Sequence, residues 1–265
     1  MLATRSLVRA LALLVILGPL PAGGQAAAQA ATKLDLVSAR SALENSSLPS
    51  SVKAQVQARI DASSENFLRY LSGALADRGS DPLLLFRVGK ARALPESFEP
   101  NDLVSLDGSG LSLSRPGLSL RRAAFLALKE MSAAARAEGV TLLVSSSYRS
   151  YSYQVEVFNR GVATDGLAET EASVARPGHS QHQLGTAVDF GSITDAFAQT
   201  KASRWLAANS RRFGFSLSFP KGMTAVTGYK WESWHYRYIG KAAAALEGEY
   251  FGGVQEYVLA FIEGM

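Results

Sequence analysis

Apolar residues recur every three or four positions in the first part of the chain, and this spacing predicts helices. Between residues 33 and 78, for example, Val52, Val56 and Ile60 share one helical face. The stretch shows no pattern of catalytic side chains. We therefore expect an N-terminal helical arm over residues 31–80 that packs on the main domain, with a coiled-coil or partner-binding role as the alternative.

From residue 81 onward the pattern changes to short apolar runs separated by proline and glycine, which is typical of strands and turns. An amphipathic helix follows in "LSLRRAAFLALKEMSAAARAEG", where Leu128 and Met131 share one face and Gly139 supplies the C-terminal stop. The run "VTLLVSSS" then predicts a buried strand, and Ser150 is placed to cap the next helix.

The rest of the chain alternates short strands with helices. Strands are predicted over residues 186–190 and in "WESWHYRYIG", and a helix in "KASRWLAANSRRFG" ends at Gly214. The chain becomes helical again from Lys241, with a C-terminal helix over residues 253–265. Because regular βαβ spacing is missing, we predict an α+β fold with helices flanking a small, mainly antiparallel sheet, and a single main domain over residues 81–252.

The first thirty residues have the composition of a secretory signal. Arg5 and Arg9 precede the apolar run "LALLVILGPL", and small residues follow, so we expect residues 1–30 to be a signal peptide cleaved between Ala28 and Ala31. The apolar run is shorter than the roughly 20 residues that span a bilayer. We expect an exported protein of the periplasm or cell envelope with no stable membrane span after cleavage; an uncleaved membrane anchor is the alternative.

Composition narrows the class of protein further. The chain has 265 residues, of which 47% are hydrophobic and 19% charged, so it can bury a core. It contains no cysteine, which excludes disulfides and thiolate zinc sites. The formal charge of +4 falls to about +2 without Arg5 and Arg9, which is too little to indicate binding to nucleic acid. Nothing in the sequence indicates an oligomeric state.

Two of the three histidines lie in "GHSQHQLGTAVDF", and the third lies in "WESWHYRY". His182 and Asp189 are too far apart for one helical turn, but a bend at Gly185 can bring both to one point, where His235 joins them. Two imidazoles and one carboxylate suffice for a catalytic zinc that keeps a fourth position for water. Glu232, three residues before His235, is placed to act as a general base.

Simpler interpretations remain for each of these residues. A single histidine is more often a surface or core residue than a ligand, and Asp189 alone can cap a turn. A closed structural metal site is a further alternative, and it would need a fourth protein ligand. Without cysteine, His179 is the spare histidine for that position, although we expect it to line a cleft instead.

Three stretches, "SSSYRSYSYQ", "RPGHSQHQLGTAVDF" and "ESWHYRY", resemble in order the signature blocks of the zinc D-alanyl-D-alanine carboxypeptidases of the VanY type. The family pattern, roughly S-x-H-x-x-G-x-A-x-D followed later by E-x-W-H, is met in full. The segment "VGKARALPESFEPNDLVSL" also resembles the one that precedes the catalytic core, so the resemblance covers about residues 84–240. One departure is Gln181, where many relatives have glutamate; the position is not a ligand, so the change bears on local charge and substrate preference.

The resemblance implies a Zn(2+) cofactor held by His182, Asp189 and His235, with Glu232 as the catalytic base. It also implies a catalytic or substrate-binding role for Arg149. Its guanidinium is expected either to face the developing oxyanion or to bind the free carboxylate of the substrate.

Neighbouring residues of the blocks are expected to support the site. The resemblance implies contacts of Gln154 and Ser180 with the substrate or the pocket wall. The alternatives are a position on a solvated helix face for Gln154 and a helix cap for Ser180. Trp234 and Tyr236 are expected to support the site by packing, and Arg237 to contact a ligand carboxylate.

The activity implied by the resemblance is removal of the C-terminal D-alanine from the stem peptides of bacterial peptidoglycan. Action as an L,D-carboxypeptidase, a D,D-dipeptidase or a peptidoglycan endopeptidase lies within the same resemblance. A non-catalytic wall-binding module is the alternative from a different class. Glu232 favours an enzyme, because a binding module does not need a base at that position.

Overall fold

The computed structural model describes residues 34–265, which form one compact unit. The signal peptide predicted over residues 1–30 lies outside the described residues. Within the described range, no helix combines the length and apolar character needed to cross a membrane.

Ten helices and seven strands make up this part of the chain. The helices are α1 (Leu36–Asn45), α2 (Ser50–Ala62), α3 (Ser64–Ser80), α4 (Arg122–Ala137), α5 (Tyr151–Asp165), α6 (Leu167–Ser173), α7 (Lys201–Asn209), α8 (Thr224–Thr227), α9 (Lys241–Tyr250) and α10 (Gln255–Glu263). The strands are β1 (Leu103–Ser105), β2 (Ser112–Leu113), β3 (Ser119–Arg121), β4 (Leu143–Ser146), β5 (Ala187–Phe190), β6 (Phe215–Leu217) and β7 (His235–Tyr238). Three short 3-10 turns complete the set, at Gln181–Leu184, Asp195–Gln199 and Ser210–Phe213.

Five strands form the main sheet in the order β2-β4-β5-β7-β6. The β2–β4 pair is parallel, and the other three neighbouring pairs are antiparallel. Strands β1 and β3 form a separate antiparallel pair. The predicted α+β fold with a small, mainly antiparallel sheet is therefore confirmed.

The pairing of β5 with β7 decides which side chains meet at the centre of the sheet. Asp189 lies opposite His235, and Val188 lies opposite Tyr236. Since side chains alternate between the faces of a strand, the first pair leaves on one face and the second pair on the other.

The face with Val188 and Tyr236 packs into a hydrophobic core with helix α4. Leu128 and Met131 of α4 are fully buried there, as the periodicity predicts. The helix ends before Gly139, which has a φ of 71° and lies in the left-handed region that favours glycine. This core holds the sheet rigid behind the opposite face, where the polar pair lies.

A second hydrophobic core joins helices from both ends of the described chain. Phe67 and Leu71 of α3 are buried against α9 and α10, which contribute Leu246 and Phe261. The predicted N-terminal helices are thus present, and they pack on the C-terminal helices. The division into domains at residues 80 and 252 stays a prediction.

Residues 81–102 consist of turns and irregular segments, with one isolated bridge between Gly89 and Arg92. Arg121 of β3 ties this segment to the body of the molecule through ion pairs of 2.7 Å with Asp81 and Asp102. The segment is therefore fixed in place without regular strands, and it forms one wall of the cavity described below.

Candidate metal centre

Three buried side chains converge on the polar face of the sheet. His182, Asp189 and His235 each offer one ligand atom, and these atoms lie within 4.8 Å of one another. The Nε2 atom of His182 is 3.1 Å from Oδ2 of Asp189, and Nδ1 of His235 is 3.0 Å from Oδ1 of Asp189. The group predicted from the sequence is therefore assembled in one place.

Local backbone geometry brings the three together. Asp189 and His235 face each other on paired strands, whereas His182 comes from the 3-10 turn that precedes β5. The chain reverses after that turn at Gly185, which has a φ of 71°. A Cβ atom at this position would also lie 2.9 Å from the side chain of Arg121. The bend predicted at Gly185 therefore needs glycine for both conformation and space.

Hydrogen bonds on the far side of each imidazole fix which ring nitrogen faces Asp189. Nδ1 of His182 lies 2.7 Å from the carbonyl oxygen of Ser147, which only accepts, so Nδ1 carries the proton and Nε2 offers a lone pair. Nε2 of His235 lies 3.2 Å from Oε1 of Gln181, which leaves Nδ1 as the acceptor atom. Both rings thus turn a lone pair toward the carboxylate.

A carboxylate and two lone pairs repel one another unless a cation lies between them. Oδ1 of Asp189 is buried and has no hydrogen-bond partner, which is costly for an ionised oxygen. Two imidazole nitrogens and one carboxylate oxygen are a donor set that zinc prefers. The group fits a zinc cofactor.

The protonation states also suit a metal. Burial lowers the pKa of His182, which favours the neutral imidazole. Burial by itself would raise the pKa of Asp189, but attraction to His182 and His235 when they carry a proton, and the hydrogen bonds that their ring nitrogens then donate, hold that pKa well below its usual range. A bound cation would act in the same direction. Neutral imidazoles and an ionised carboxylate are the forms in which these residues bind metals.

Glu232 lies beside the three ligand atoms without belonging to their group. Its Oε2 atom is 3.5 Å from Nδ1 of His235, and its side chain lines the same cavity. Burial raises the pKa of Glu232 to about 7 and Asp189 adds to the shift, whereas His235 and the cationic Arg149 oppose it. A carboxyl group of this pKa can exchange protons near neutral pH.

Arg149 follows strand β4 and presents its guanidinium to the cavity. Nη1 donates to Oε1 of Gln154 at 2.8 Å, and Nη2 donates to the hydroxyl of Ser146 at 3.2 Å. Gln154 is fully buried on α5 and donates in turn to the carbonyl oxygen of Ala175 at 2.6 Å. Gln154 therefore does not lie on a solvated helix face. Its amide is hydrogen-bonded to Arg149 and to the backbone of Ala175.

Two residues near His182 line the cavity from another side. The Ser180 hydroxyl accepts from the His182 amide at 3.3 Å, so Ser180 caps the 3-10 turn while it also borders the cavity. His179 lies outside the group of three ligand candidates. Its Nδ1 atom is 2.7 Å from the carbonyl oxygen of Gly89, and its ring lines the cavity as expected.

Trp234 and Tyr236 flank His235 and point in different directions from it. Trp234 borders the cavity, whereas Tyr236 lies on the opposite face of the sheet and packs edge-on against Phe190, with ring centroids 5.9 Å apart. Tyr236 therefore supports the strand from the core side.

The prediction that Arg237 contacts a ligand carboxylate is wrong. Its Nη2 atom donates to the carbonyl oxygens of Leu84 and Phe86, at 2.9 and 2.8 Å. In the register of the sheet Arg237 pairs with Ala187, two residues before Asp189. The side chain therefore lies too far along the strand and anchors the 81–102 segment instead.

The three side chains lie in the wall of a cavity of about 530 Å³. The cavity extends between residues 87–92, residues 225–229 and the start of helix α10. This size is within the range of pockets that hold small ligands. The cavity is therefore large enough to hold a small ligand next to the three side chains.

Sequence reasoning missed the partners of Gln181. Its carboxamide contacts His235, Ser218 and Gln255, in addition to changing the local charge. Ser218 and Gln255 belong to no motif, and their proximity depends on tertiary packing, so the sequence carries no signal that could have identified them.

The fold and the site together define a class: an α+β protein with a buried His/Asp/His centre that fits zinc, next to a buried glutamate. Residues 117–241 match the sequence model of the VanY family, which is described as D-alanyl-D-alanine carboxypeptidase. The chain belongs to this family.

Individual relatives agree with this assignment. The D-alanyl-D-alanine carboxypeptidase of Enterococcus faecalis (strain ATCC 700802 / V583) is 41% identical over 126 residues, which are 44% of this chain and 47% of that protein. The LdcB LD-carboxypeptidase has a solved structure with 35% identity and a TM-score of 0.59, covering 64% of this chain and 83% of that one. Another solved structure is a mutant of the D,D-pentapeptidase VanY from a VanB-type resistance cassette, in complex with Zn(II). It has 33% identity and a TM-score of 0.57, and the match covers 67% of this chain and 99% of that one. The chain spans less than two thirds of the length of the curated relatives that it matches.

Proposed function

We infer that this protein is an exported zinc metallocarboxypeptidase that removes the C-terminal D-alanine from peptidoglycan stem peptides. One observation carries this proposal: a buried His/Asp/His group shares a cavity with the carboxyl group of Glu232 and the guanidinium of Arg149. Family membership supports it, since relatives are named as D,D- and L,D-carboxypeptidases. Export follows from the predicted signal peptide.

His182, Asp189 and His235 are the proposed zinc ligands. Zinc bound there supplies a Lewis acid that lowers the pKa of a water molecule to about 7 and polarises a carbonyl group. The protein fixes which nitrogen of each imidazole carries the proton. The carbonyl oxygen of Ser147 accepts from Nδ1 of His182, and Oε1 of Gln181 accepts from Nε2 of His235.

Glu232 is the proposed general base. Its carboxylate accepts a proton from the attacking water, and the same group then delivers a proton to the amine of the departing D-alanine. Burial raises the pKa of Glu232, which strengthens its carboxylate as a base toward the proton of the water.

Arg149 is the proposed group that meets negative charge on the substrate. Gln154 and Ser146 hold its guanidinium from behind, so the cationic fork is oriented before the substrate enters. It either binds the free carboxylate of the terminal D-alanine or opposes the charge that develops on the carbonyl oxygen. Ser180 borders the same space and is the proposed donor of a further hydrogen bond.

The proposal is tested by incubating the purified mature protein with muropeptides that end in a pentapeptide or a tetrapeptide, and identifying the products by mass spectrometry. Loss of one D-alanine that stops with a chelator and returns with zinc is the expected result. Conversion of the pentapeptide indicates D,D-cleavage, and conversion of the tetrapeptide indicates L,D-cleavage.

Crosslinked muropeptides and free D-alanyl-D-alanine belong in the same experiment. Cleavage of only the crosslinked peptides would replace the proposal by an endopeptidase, and cleavage of only the dipeptide would replace it by a D,D-dipeptidase. A folded, zinc-loaded protein that leaves every substrate intact would contradict enzymatic activity and favour a wall-binding module.

A further inference from the structure

A closed ring of hydrogen bonds lies behind His235, on the side away from the metal position. Oε1 of Gln181 accepts from the Ser218 hydroxyl at 2.7 Å and from Nε2 of His235 at 3.2 Å. Nε2 of Gln181 donates to Oε1 of Gln255 at 3.2 Å, and Nε2 of Gln255 donates to the Ser218 hydroxyl at 3.2 Å. The three side chains of the ring thus bond to one another, and one of them, Gln181, also bonds to the imidazole.

The ring has a defined direction, which a backbone carbonyl sets. Nε2 of Gln255 also faces the carbonyl oxygen of Ser216 at 3.5 Å, and this oxygen can only accept. The oxygen end of the Gln255 amide must therefore face Gln181. Gln181 then has to present its nitrogen to Gln255 and its oxygen to His235.

The direction of the ring determines which nitrogen of His235 faces the metal position with a lone pair. An oxygen atom facing Nε2 of His235 requires the proton to lie on Nε2, so Nδ1 keeps its lone pair for the metal. The members of the ring are at most 9% exposed, so little water competes with these bonds. A buried, fully paired network holds one imidazole tautomer more firmly than a single contact.

The residue that closes the ring comes from an unexpected part of the chain. Gln255 is the first residue of helix α10, outside residues 117–241 that match the family. Helix α10 belongs to the second hydrophobic core, with α3 and α9. Glutamate at position 181 would offer only acceptors to Gln255 when ionised, so this ring needs the glutamine that the chain has there.

We propose that Gln255 is a positioning residue for the metal site: acting through Gln181, it fixes the tautomer and orientation of His235 and thereby raises the affinity for zinc. The proposal rests on the assignment of His235 as a zinc ligand, and it is independent of which peptide bond the protein cleaves. It makes helix α10 a functional part of the site.

The first test measures zinc affinity in competition with a chelating dye, using the full mature protein. Gln255→Met keeps the length of the side chain and removes the amide, and we expect about 10- to 100-fold weaker zinc binding. Ile262→Val is the matched control, because Ile262 is buried on the same helix in the second hydrophobic core and makes none of the hydrogen bonds of the ring. This control should lower the melting temperature and leave zinc affinity unchanged.

The second readout is the ring nitrogen spectrum of the metal-free protein by ¹⁵N NMR, which is tractable because the chain has three histidines. We expect His235 to carry its proton on Nε2, with slow exchange, in the wild-type protein and in Ile262→Val. Gln255→Met should show mixed tautomers or fast exchange at His235. A merely structural role of Gln255 would not change this signal selectively.

Folded Gln255→Met with unchanged zinc affinity and an unchanged His235 signal would overturn the proposal, and so would a wild-type His235 protonated on Nδ1. If Gln255→Met does not fold, Ser218→Ala breaks the ring at its smallest member and should shift both readouts in the same direction; no shift in that variant would also overturn it. Neither readout involves peptide cleavage. A protein that binds zinc as expected but cleaves no stem peptide would contradict the proposed function alone.

Discussion

Glu232 and His235 are three residues apart and 3.5 Å from each other, yet we propose different tasks for them. His235 is a proposed metal ligand through Nδ1, whereas Glu232 lies outside the group of ligand candidates and has a raised pKa. If the two residues have separate tasks, substitution of Glu232 should change turnover alone, whereas substitution of His235 should change both zinc binding and turnover.

We expect Glu232→Gln to retain zinc and to lose about 10²- to 10⁴-fold in turnover, because it removes the base and keeps the size of the side chain. His235→Ala should lose both zinc and turnover. Metal content by mass spectrometry and D-alanine release, measured on the same preparations, check this pair. Loss of zinc from Glu232→Gln would make Glu232 a ligand, and full zinc in a folded His235→Ala would show that the ligand set is misassigned.

Substitution of Arg149 separates its two proposed roles. Arg149→Lys keeps the charge and removes the planar fork, so we expect kcat/KM for the pentapeptide to fall by at least about tenfold. Kinetics on the free acid and on the C-terminal amide then distinguish the roles. If Arg149 binds the substrate carboxylate, KM should rise for the peptide with a free C-terminal acid and stay unchanged for the amide. If Arg149 opposes the charge on the carbonyl oxygen, kcat should fall for both peptides. Unchanged kinetics on both substrates would remove Arg149 from the mechanism.

At the level of single residues, the sequence predicts correctly that His182, Asp189 and His235 converge, and it predicts their surroundings poorly. His182 and Asp189 are close along the chain with a glycine bend between them, so their convergence follows from local geometry. The partners of Arg237 and Gln181 depend on strand register and on segments distant in sequence. No local pattern encodes such contacts, which is why the prediction for Arg237 failed.

Helix α9 carries a buried carboxyl group outside the proposed site. Glu247 is fully buried and lies 3.3 Å from Nη2 of Arg211. Burial raises the pKa of Glu247, and Arg211 only partly opposes the shift. The native state therefore binds this proton more tightly than the unfolded state, and the associated stability is present at low pH and is lost as the pH rises through the raised pKa.

We expect Glu247→Gln to gain stability relative to the wild type as the pH rises from about 4 to about 7. The measurement is the free energy of unfolding of both proteins in denaturant across this range, with a chelator present so that metal binding does not contribute. The difference between the two proteins isolates the Glu247 carboxyl from other titrating groups. A difference that stays constant with pH would contradict the raised pKa.

Elements with strong periodicity were predictable, and elements without it were not. Helix α4 and strand β5 lie where the sequence places them, because their apolar positions match a helix face and a buried strand. Residues 81–102 were expected to include strands and instead form turns held by Arg121 and Arg237. Ion pairs and single hydrogen bonds fix that segment, and neither produces a repeating pattern.

The molecule as a whole combines a sheet-based core that carries the metal site with a helical core that joins both ends of the described chain. Periodicity predicts that α3 has an apolar face, but it does not reveal that this face packs on α9 and α10. The family match ends at residue 241, before most of this helical core. If Gln255 positions His235, the helical core also contributes to the metal site.

We propose that a single zinc ion in the His/Asp/His group makes this chain a carboxypeptidase. The most direct measurement is a zinc titration of the metal-free mature protein, with release of D-alanine from the stem pentapeptide and tetrapeptide followed at each addition. We expect activity that rises in proportion to bound zinc and reaches a plateau at one equivalent per chain. Full activity in the metal-free protein, or no activity on either peptide at one bound equivalent, would contradict it.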